Sequence, residues 1–396
     1  MTKPGQDVST ALKLLVISGT WPPMRCGVGD YTAQLCDHLS RLAMNVHVLT
    51  SRAARAELRM DGVNLLEVHP LIDHWNFKAL SVVKAAVADI KPDLINFMWP
   101  TAAYGRSLAV NLLPFYLRSV VAPKIPLVTT LHELRYFKTW TRLRVLPALA
   151  FSQRVILVDP LDLEAVKRLL PPAAGRCLQI PIGSNLPAVG KGYNRAECRR
   201  RLGYTDSDFV VGFFGFANPP KGMETLLAAL RQLKDALPGL RLLMLSQLSD
   251  AIGYQRRLKH DLKVTGLAGI TVNPEYAEPR LAAEMLSAAD CAVLPFVEGV
   301  SVKRGSLMAC LAQGLPIITT TPVRGEVNEF QHRVNMLLVP PRDAKALAES
   351  IRQLVQDPDL RARLALGAWD LARRFSWEDI AQRQLAVFEE VLGEAQ

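Results

Sequence analysis

The sequence predicts an α/β protein built from two doubly wound, Rossmann-like parallel-sheet domains in series. Three observations predict it. The chain has 396 residues, 49% of them hydrophobic, which is enough for two buried cores. Short apolar runs closed by Gly, Pro or Asn alternate with segments whose apolar residues recur at helical spacing, the mark of βα units. The alternation pauses at a Pro/Gly/Ser/Asn-rich stretch, Ile180 to Pro187, and then restarts.

In order, Leu12 to Ser18 reads as a buried strand ending at Gly19, and Tyr31 to Leu42 as a helix. Further strands are expected at Asn45–Thr50, Leu94–Met98, Leu127–Leu131 and Val155–Val158. After the linker, Phe209–Phe214 opens a second sheet, followed by a helix over Met223–Leu237. Leu240–Leu245, Ala292–Pro295 and Ile317–Thr320 supply its later strands. A terminal amphipathic helix spans Trp377–Leu392, with Ser376 as its N-cap. The expected units are 1–185, 186–375 and a terminal helix, 376–396. Ligands of open parallel sheets bind beyond the carboxyl ends of the strands, so two such domains facing each other would create a cleft.

Composition narrows the function. None of the six cysteines stands at CxxC spacing, the histidines are never at zinc spacing, and no DxD-like metal signature with supporting ligands is evident. The expectation is therefore no metal and no cofactor, in a reducing, cytoplasmic setting. Met1 to Leu12 lacks the apolar run of a signal peptide, and the most apolar long stretch, Ser107–Val128, is broken by Pro114, Arg118, Pro123, Lys124 and Pro126. The net charge of +10 is uneven: eight basic residues and one acid, Glu133, lie between Arg106 and Arg154. This is either a solvated basic face or a surface that attracts anionic lipid at the inner face of a membrane, or an anionic acceptor. The interleaved cations and aromatics of Arg135–Arg144 suit a peripheral membrane contact. No nucleic-acid-binding motif accompanies the charge.

Four segments could carry chemistry. In SGTWPPMRCGVGDYT, Gly27 and Gly29 either let an anion approach the amides of a helix start or serve a tight turn. His132, at the end of a strand, can donate to a sugar hydroxyl or to developing charge, although a lone histidine is more often structural. In FFGFANPPKGMETLLAAL, Lys221 and Gly222 sit where a strand gives way to a helix; Lys221 is either a phosphate partner or an exposed loop lysine. In LPFVEGVSVKRGSLMACLAQGLPIITT, Glu298, Ser301, Lys303, Arg304, Gly305 and Ser306 precede a helix and suit a sugar diphosphate, or form a polar surface loop.

Taken in this order, the segments resemble the retaining family 4 (group 1) glycosyltransferases of the GT-B fold, as a divergent member. WPPMRCGVGDYT resembles the family's glycine loop and VTTLHE its strand-end histidine segment. IPIGSNLP resembles the linker, PPKGMETLLAAL the lysine-glycine loop, and AADCAVLPF with ACLAQGLPIITT the donor-holding strand, loop and helix. FSWEDIAQRQLAVFEE resembles the helix that crosses back to the first domain. The resemblance implies an N-terminal acceptor domain, a C-terminal nucleotide-sugar domain, a UDP- or GDP-sugar donor, and transfer with retention to a lipid-linked or saccharide acceptor. It implies His132 and Glu298 at the reacting sugar. Gly27, Gly29, Lys221, Gly222, Ser301, Arg304, Gly305 and Ser306 would lie around the donor.

Two positions depart from the family. Its arginine before the lysine falls in Gly215-Phe216-Ala217, and its two loop glutamates fall, counted back from Gly314, on Ser301 and Ala309. Arg304, pointing inward where Lys303 points elsewhere, is expected to replace the missing cation. The departures leave open a non-catalytic sugar-nucleotide-binding subunit. An epimerase of the same fold lacks visible acid/base carboxylates.

Overall fold

A computed structural model describes residues 12–395 apart from 43, 62–63, 100, 106, 135–142, 276 and 323–328. Most of the Arg135–Arg144 segment, and Arg106, therefore lie outside the described residues. The chain divides into two compact units, one of residues 1–182 with 377–396 and one of residues 183–376.

The first unit holds eight strands: β1 (Leu12–Ile17), β2 (Met44–Ser51), β3 (Glu57–Asp61), β4 (Asn64–Ile72), β5 (Leu94–Trp99), β6 (Leu127–Leu131), β7 (Arg154–Leu157) and β8 (Cys177–Gln179). Their order is β3-β4-β2-β1-β5-β6-β7-β8, parallel except for the antiparallel β3–β4 pair. Strands β1 and β5 are apolar but for Lys13 and Asn96 because helices cover both faces of the sheet. On one face Leu15, Ile17 and Leu49 pack against Val83, Ala86 and Val87 of α2 (Ala79–Ile90). On the other, Leu14, Val46 and Val48 pack against Leu35 and Leu39 of α1 (Gly27–Arg41) and against Ile380, Phe388 and Val391 of the terminal helix Trp377–Ala395. That helix belongs to the first unit although its sequence follows the second.

The second unit holds β9 (Phe209–Phe214), β10 (Leu240–Leu245), β11 (Thr271–Val272), β12 (Cys291–Leu294), β13 (Ile317–Thr320) and β14 (Leu337–Val339), ordered β11-β10-β9-β12-β13-β14 and all parallel. The strand order reverses between β1 and β5 in the first sheet and between β9 and β12 in the second. Those two points are where an open α/β sheet leaves a crevice for a ligand.

Helix bounds differ from the sequence expectation, the terminal helix running past Leu392 to Ala395. Helix α1 begins at Gly27, four residues before Tyr31, so Gly27 and Gly29 lie in its first turn and not in a loop before it. Glycine's weak helix propensity hides that turn from a sequence reading. The helix expected over Met223–Leu237 ends at Leu233, ahead of Pro238, and closes in a turn in which the Leu237 amide donates to the Leu233 carbonyl at 2.9 Å.

Candidate functional site

In the second unit the switch point places two loops side by side, one after β9 and one after β12. The first runs through Gly215 to Gly222. Gly215 has φ +129°, open only to glycine, and a Cβ there would stand 3.4 Å from both Lys221 Nζ and Ser306 Cβ. Gly222 has φ +67°, and a Cβ there would lie 2.0 Å from the Pro295 carbonyl oxygen. Its role is thus a backbone-to-backbone approach of the two loops, reinforced by the Val297 amide donating to the Pro220 carbonyl at 3.0 Å. Lys221, between these glycines, is carried toward the second loop.

The second loop is pinned from below. Thr319 and Thr320 of β13 donate through their hydroxyls to the carbonyls of Leu294 and Phe296, at 2.7 and 2.6 Å. Val300 and Val302 are buried, and the Val300 amide donates to the Thr320 carbonyl at 3.0 Å. A fixed loop preorganises what it carries.

The polar groups then converge. Lys221 Nζ donates to Ser306 Oγ at 2.8 Å. Lys221 Nζ and the Arg304 guanidinium carbon lie 5.1 and 5.0 Å from the centre of the Phe296 ring, within cation–π range. Burial, and then the Arg304 charge beside it, lower the Lys221 pKa to about 8. Arg304 is 14% exposed and donates to Glu298 Oε2 at 3.1 Å, while Glu298 is 43% exposed. Arg304 Nε and Ser301 Oγ are buried and have no hydrogen-bond partner among the described residues. Buried donors of this kind cost free energy unless a ligand meets them. Gly305 and Ser306 open the helix Gly305–Ala312, whose first-turn amides add positive potential at the same place.

Arg304 therefore points inward, toward Lys221. Lys303, expected to point elsewhere than Arg304, also has a buried Nζ. Phe296, which supports both cations, escaped the sequence reading because an aromatic at the end of an apolar strand reads as core.

The first unit holds the other candidates. His132 is buried just after β6, its amide donating to the Trp99 carbonyl at 3.2 Å. Its ring meets Tyr31 edge-on, with centres 4.6 Å apart. Tyr31 in turn lies 5.3 Å from the Trp377 ring and accepts a bond of 2.6 Å from Gln384 Nε2. The terminal helix thus fixes the ring against which His132 rests, a connection that sequence spacing cannot reveal. Gly27 faces open space, whereas a Cβ on Gly29 would press on Thr20 at 3.1 to 3.3 Å. Gly29 is a packing glycine as well as a helix-start amide. At the switch between β1 and β5, the Tyr104 hydroxyl bonds the Ile17 and Met98 carbonyls at 3.1 and 2.5 Å. Beside it an open cavity of about 420 Å³ is lined by Asp73, His74, Trp75, Asn76, Tyr104 and Ser107, among others.

Residues 208–357, which hold Lys221, Glu298, Ser301, Arg304 and Ser306, match the family described as glycosyl transferases group 1. The match covers 150 of the 396 residues. A D-inositol 3-phosphate glycosyltransferase of Stackebrandtia nassauensis is 30% identical over 210 residues, 51% of this chain and 46% of the relative. The chain spans about half the length of the curated relatives it matches.

Among solved structures, sucrose-phosphate synthase from Thermosynechococcus elongatus is similar at a TM-score of 0.77 and 20% identity, covering 97% of this chain and 100% of that one. Anabaena HepE, in complex with UDP-glucose, is similar at 0.73 and 20% identity, covering 96% and 100%. The fold is GT-B. The matched residues lie in the second doubly wound unit, whose cationic cluster sits at its topological switch point. No helix among the described residues is long and apolar enough to cross a membrane.

Proposed function

We propose that this chain transfers a sugar from a nucleotide-diphosphate donor to a hydroxyl acceptor, with the second domain holding the donor. The observation that carries the reading is the convergence of Lys221, Arg304, Ser306 and two donors with no partner among the described residues, Ser301 Oγ and Arg304 Nε, on one fixed pair of loops. A donor diphosphate carries about two negative charges, and Lys221 with Arg304 supplies two positive ones in a partly desolvated place. Because Arg304 is also paired with Glu298, the helix-start amides at Gly305 and Ser306 supply the rest of the balance in place of a metal. A UDP-sugar is the first donor to test, since the HepE structure similar to this one holds UDP-glucose.

In this reading Lys221, Arg304 and the amides at Gly305 and Ser306 bind the diphosphate and stabilise its charge as the glycosidic bond breaks. Ser301 and Glu298 meet donor hydroxyls, with Glu298 also steering Arg304. In the first unit, His132 and the helix-start amides at Gly27 and Gly29 are the groups we assign to ligand binding. The departing diphosphate takes the acceptor proton on the same face, so the anomeric configuration is retained and no protein nucleophile is required.

The first domain takes the acceptor. Its cavity pairs polar Asp73, His74, Asn76 and Ser107 with Trp75 and Tyr104, a lining suited to a hydroxyl-rich headgroup. Leu108, Leu112, Phe115, Leu143 and Leu146 are exposed on the short helices of the same domain, whose net charge is basic. Together these favour a lipid-linked or saccharide acceptor presented at an anionic, cytoplasmic membrane surface.

A panel of UDP-, GDP- and ADP-sugars tests the reading by thermal shift and by nucleotide release, with and without envelope lipid extract. One donor should stabilise the protein and release its nucleotide when the acceptor is present, with EDTA making no difference. Stabilisation by none of the donors would overturn it. A second reading, a non-catalytic sugar-nucleotide-binding subunit, draws on Ala309, fully buried where the family has a carboxylate. It predicts stabilisation by a donor with no release under any acceptor.

A further inference from the structure

Away from the loops just described, β2 and β4 bring together two histidines and a carboxylate. The strands pair in parallel with His47 directly beside Glu67, and His69 follows Glu67 by two residues, so all three project from one face of the sheet. It is the face covered by α2, where Leu49, two residues after His47, lies in the apolar core. The side chains of His47, Glu67 and His69 are 12, 37 and 21% exposed. Two imidazoles and a carboxylate meeting beside the apolar Leu15, Ile17 and Leu49 need a reason, although Lys13 and Asn45 also project from this face.

Their atoms form a nearly regular triangle. His47 Nδ1 lies 3.2 Å from His69 Nε2 and 3.4 Å from Glu67 Oε2, and His69 Nε2 lies 3.7 Å from the same oxygen. Protons do not satisfy this arrangement. One proton shared by the two rings leaves an imidazole lone pair turned on the carboxylate. Protons on both facing nitrogens set two N–H groups against each other. A cation at the centre takes all three lone pairs at once. Tetrahedral zinc binds nitrogen and oxygen at about 2.0 to 2.2 Å, which places its ligand atoms roughly 3.3 to 3.6 Å apart. The observed edges span that range.

We propose that His47, Glu67 and His69 form a site for a zinc-class divalent transition metal, with water completing the coordination, that clamps β4 to β2. Two imidazoles and one carboxylate select such an ion over magnesium or calcium, which prefer all-oxygen shells. The site takes no part in sugar transfer, and its ligands come from two strands joined by a sheet register and not by a short sequence motif.

The test uses the full chain, stripped with chelator and dialysed. Titration with zinc chloride by calorimetry should give one site per chain, and magnesium chloride should give none. Cobalt chloride should produce tetrahedral d–d absorption without a thiolate charge-transfer band. His47→Ala, His69→Ala and the near-isosteric Glu67→Gln should each weaken zinc binding at least tenfold, while His260→Ala, on an exposed helix face of the other domain, leaves it unchanged. Glu67→Gln covers the case in which a histidine variant fails to fold. No zinc uptake, uptake unaltered in Glu67→Gln and whichever histidine variants fold, equal binding of magnesium, or a cobalt–thiolate band would each overturn the site.

Discussion

Lys221 Nζ donates to Ser306 Oγ across 2.8 Å, joining the loop after β9 to the first turn of the helix after β12. The lysine is thereby aimed before any ligand arrives, and little side-chain entropy remains to be lost on binding. Lys221→Ala should weaken binding of the productive donor about tenfold or more, since a charge-assisted contact to phosphate contributes roughly 1.5 to 3 kcal/mol. Calorimetric titration of the variant checks this, and an unchanged donor Kd would remove Lys221 from the site.

The pKa of Lys221 near 8 gives the site a pH signature. Below pH 8 the amine is charged and attracts the diphosphate; above it the free protein has lost that charge. Donor affinity should therefore fall as pH rises through about 8, and binding above that pH should take up a proton. Titrations in two buffers of different ionisation enthalpy would measure the uptake, and Lys221→Ala should abolish it. On stability the same shift acts in the opposite sense. Between about pH 8 and the ordinary lysine range the unfolded chain binds more protons, so this group's contribution to folding rises with pH there.

Arg304→Ala should also weaken donor binding about tenfold, or roughly 1.4 kcal/mol. Glu298→Gln should have a smaller effect on affinity, because it removes the arginine's partner and keeps the cation. Full affinity in Arg304→Ala would show that Lys221 and the helix amides suffice alone.

Gly222→Ala should destabilise the second domain by at least about 1 to 2 kcal/mol, the cost of a left-handed residue with a side chain, before any steric term. The Cβ, 2.0 Å from the Pro295 oxygen, adds to that by forcing the two loops apart. Urea unfolding measures the loss. Stability equal to that of the native chain would mean that the loops do not meet as described.

Phe115→Asp with Leu112→Asp should reduce co-sedimentation with anionic vesicles and leave donor-induced stabilisation intact. Equal sedimentation of native and doubly substituted protein on anionic and neutral lipid would remove the membrane from the proposed function.

Strands buried on both faces were the most legible part of the fold. Leu127–Leu131, Phe209–Phe214, Leu240–Leu245 and Ile317–Thr320 consist of apolar residues, glycine and threonine apart from Arg241, and their expected and observed bounds coincide. Strand β4 was not legible: Glu67, His69 and Pro70 interrupt its apolar pattern, and only its pairing with β2 makes sense of them. The candidate donor site was legible as two loops in the right places. Their meeting was not, because it depends on Gly215 and Gly222 lacking side chains and on Phe296 lying beneath both cations. Likewise nothing in the spacing of Tyr31, His132 and Gln384 announces that they touch.

The placement of the helix Trp377–Ala395 in the first unit has a consequence for synthesis. Trp377, Ile380, Phe388 and Val391 fill the side of the core lined by Leu35, Leu39 and Val46, so that core is unfinished until the helix Trp377–Ala395 is made. At about 5 to 20 residues per second, translation of the intervening residues 183–376 holds it open for roughly 10 to 40 s. The nascent first domain must wait, with an apolar groove uncovered, while the second folds as a continuous piece. A chain stopped at Ser376 should release a second domain of native stability beside a first domain that recruits chaperones, a vectorial order of assembly written into the connectivity.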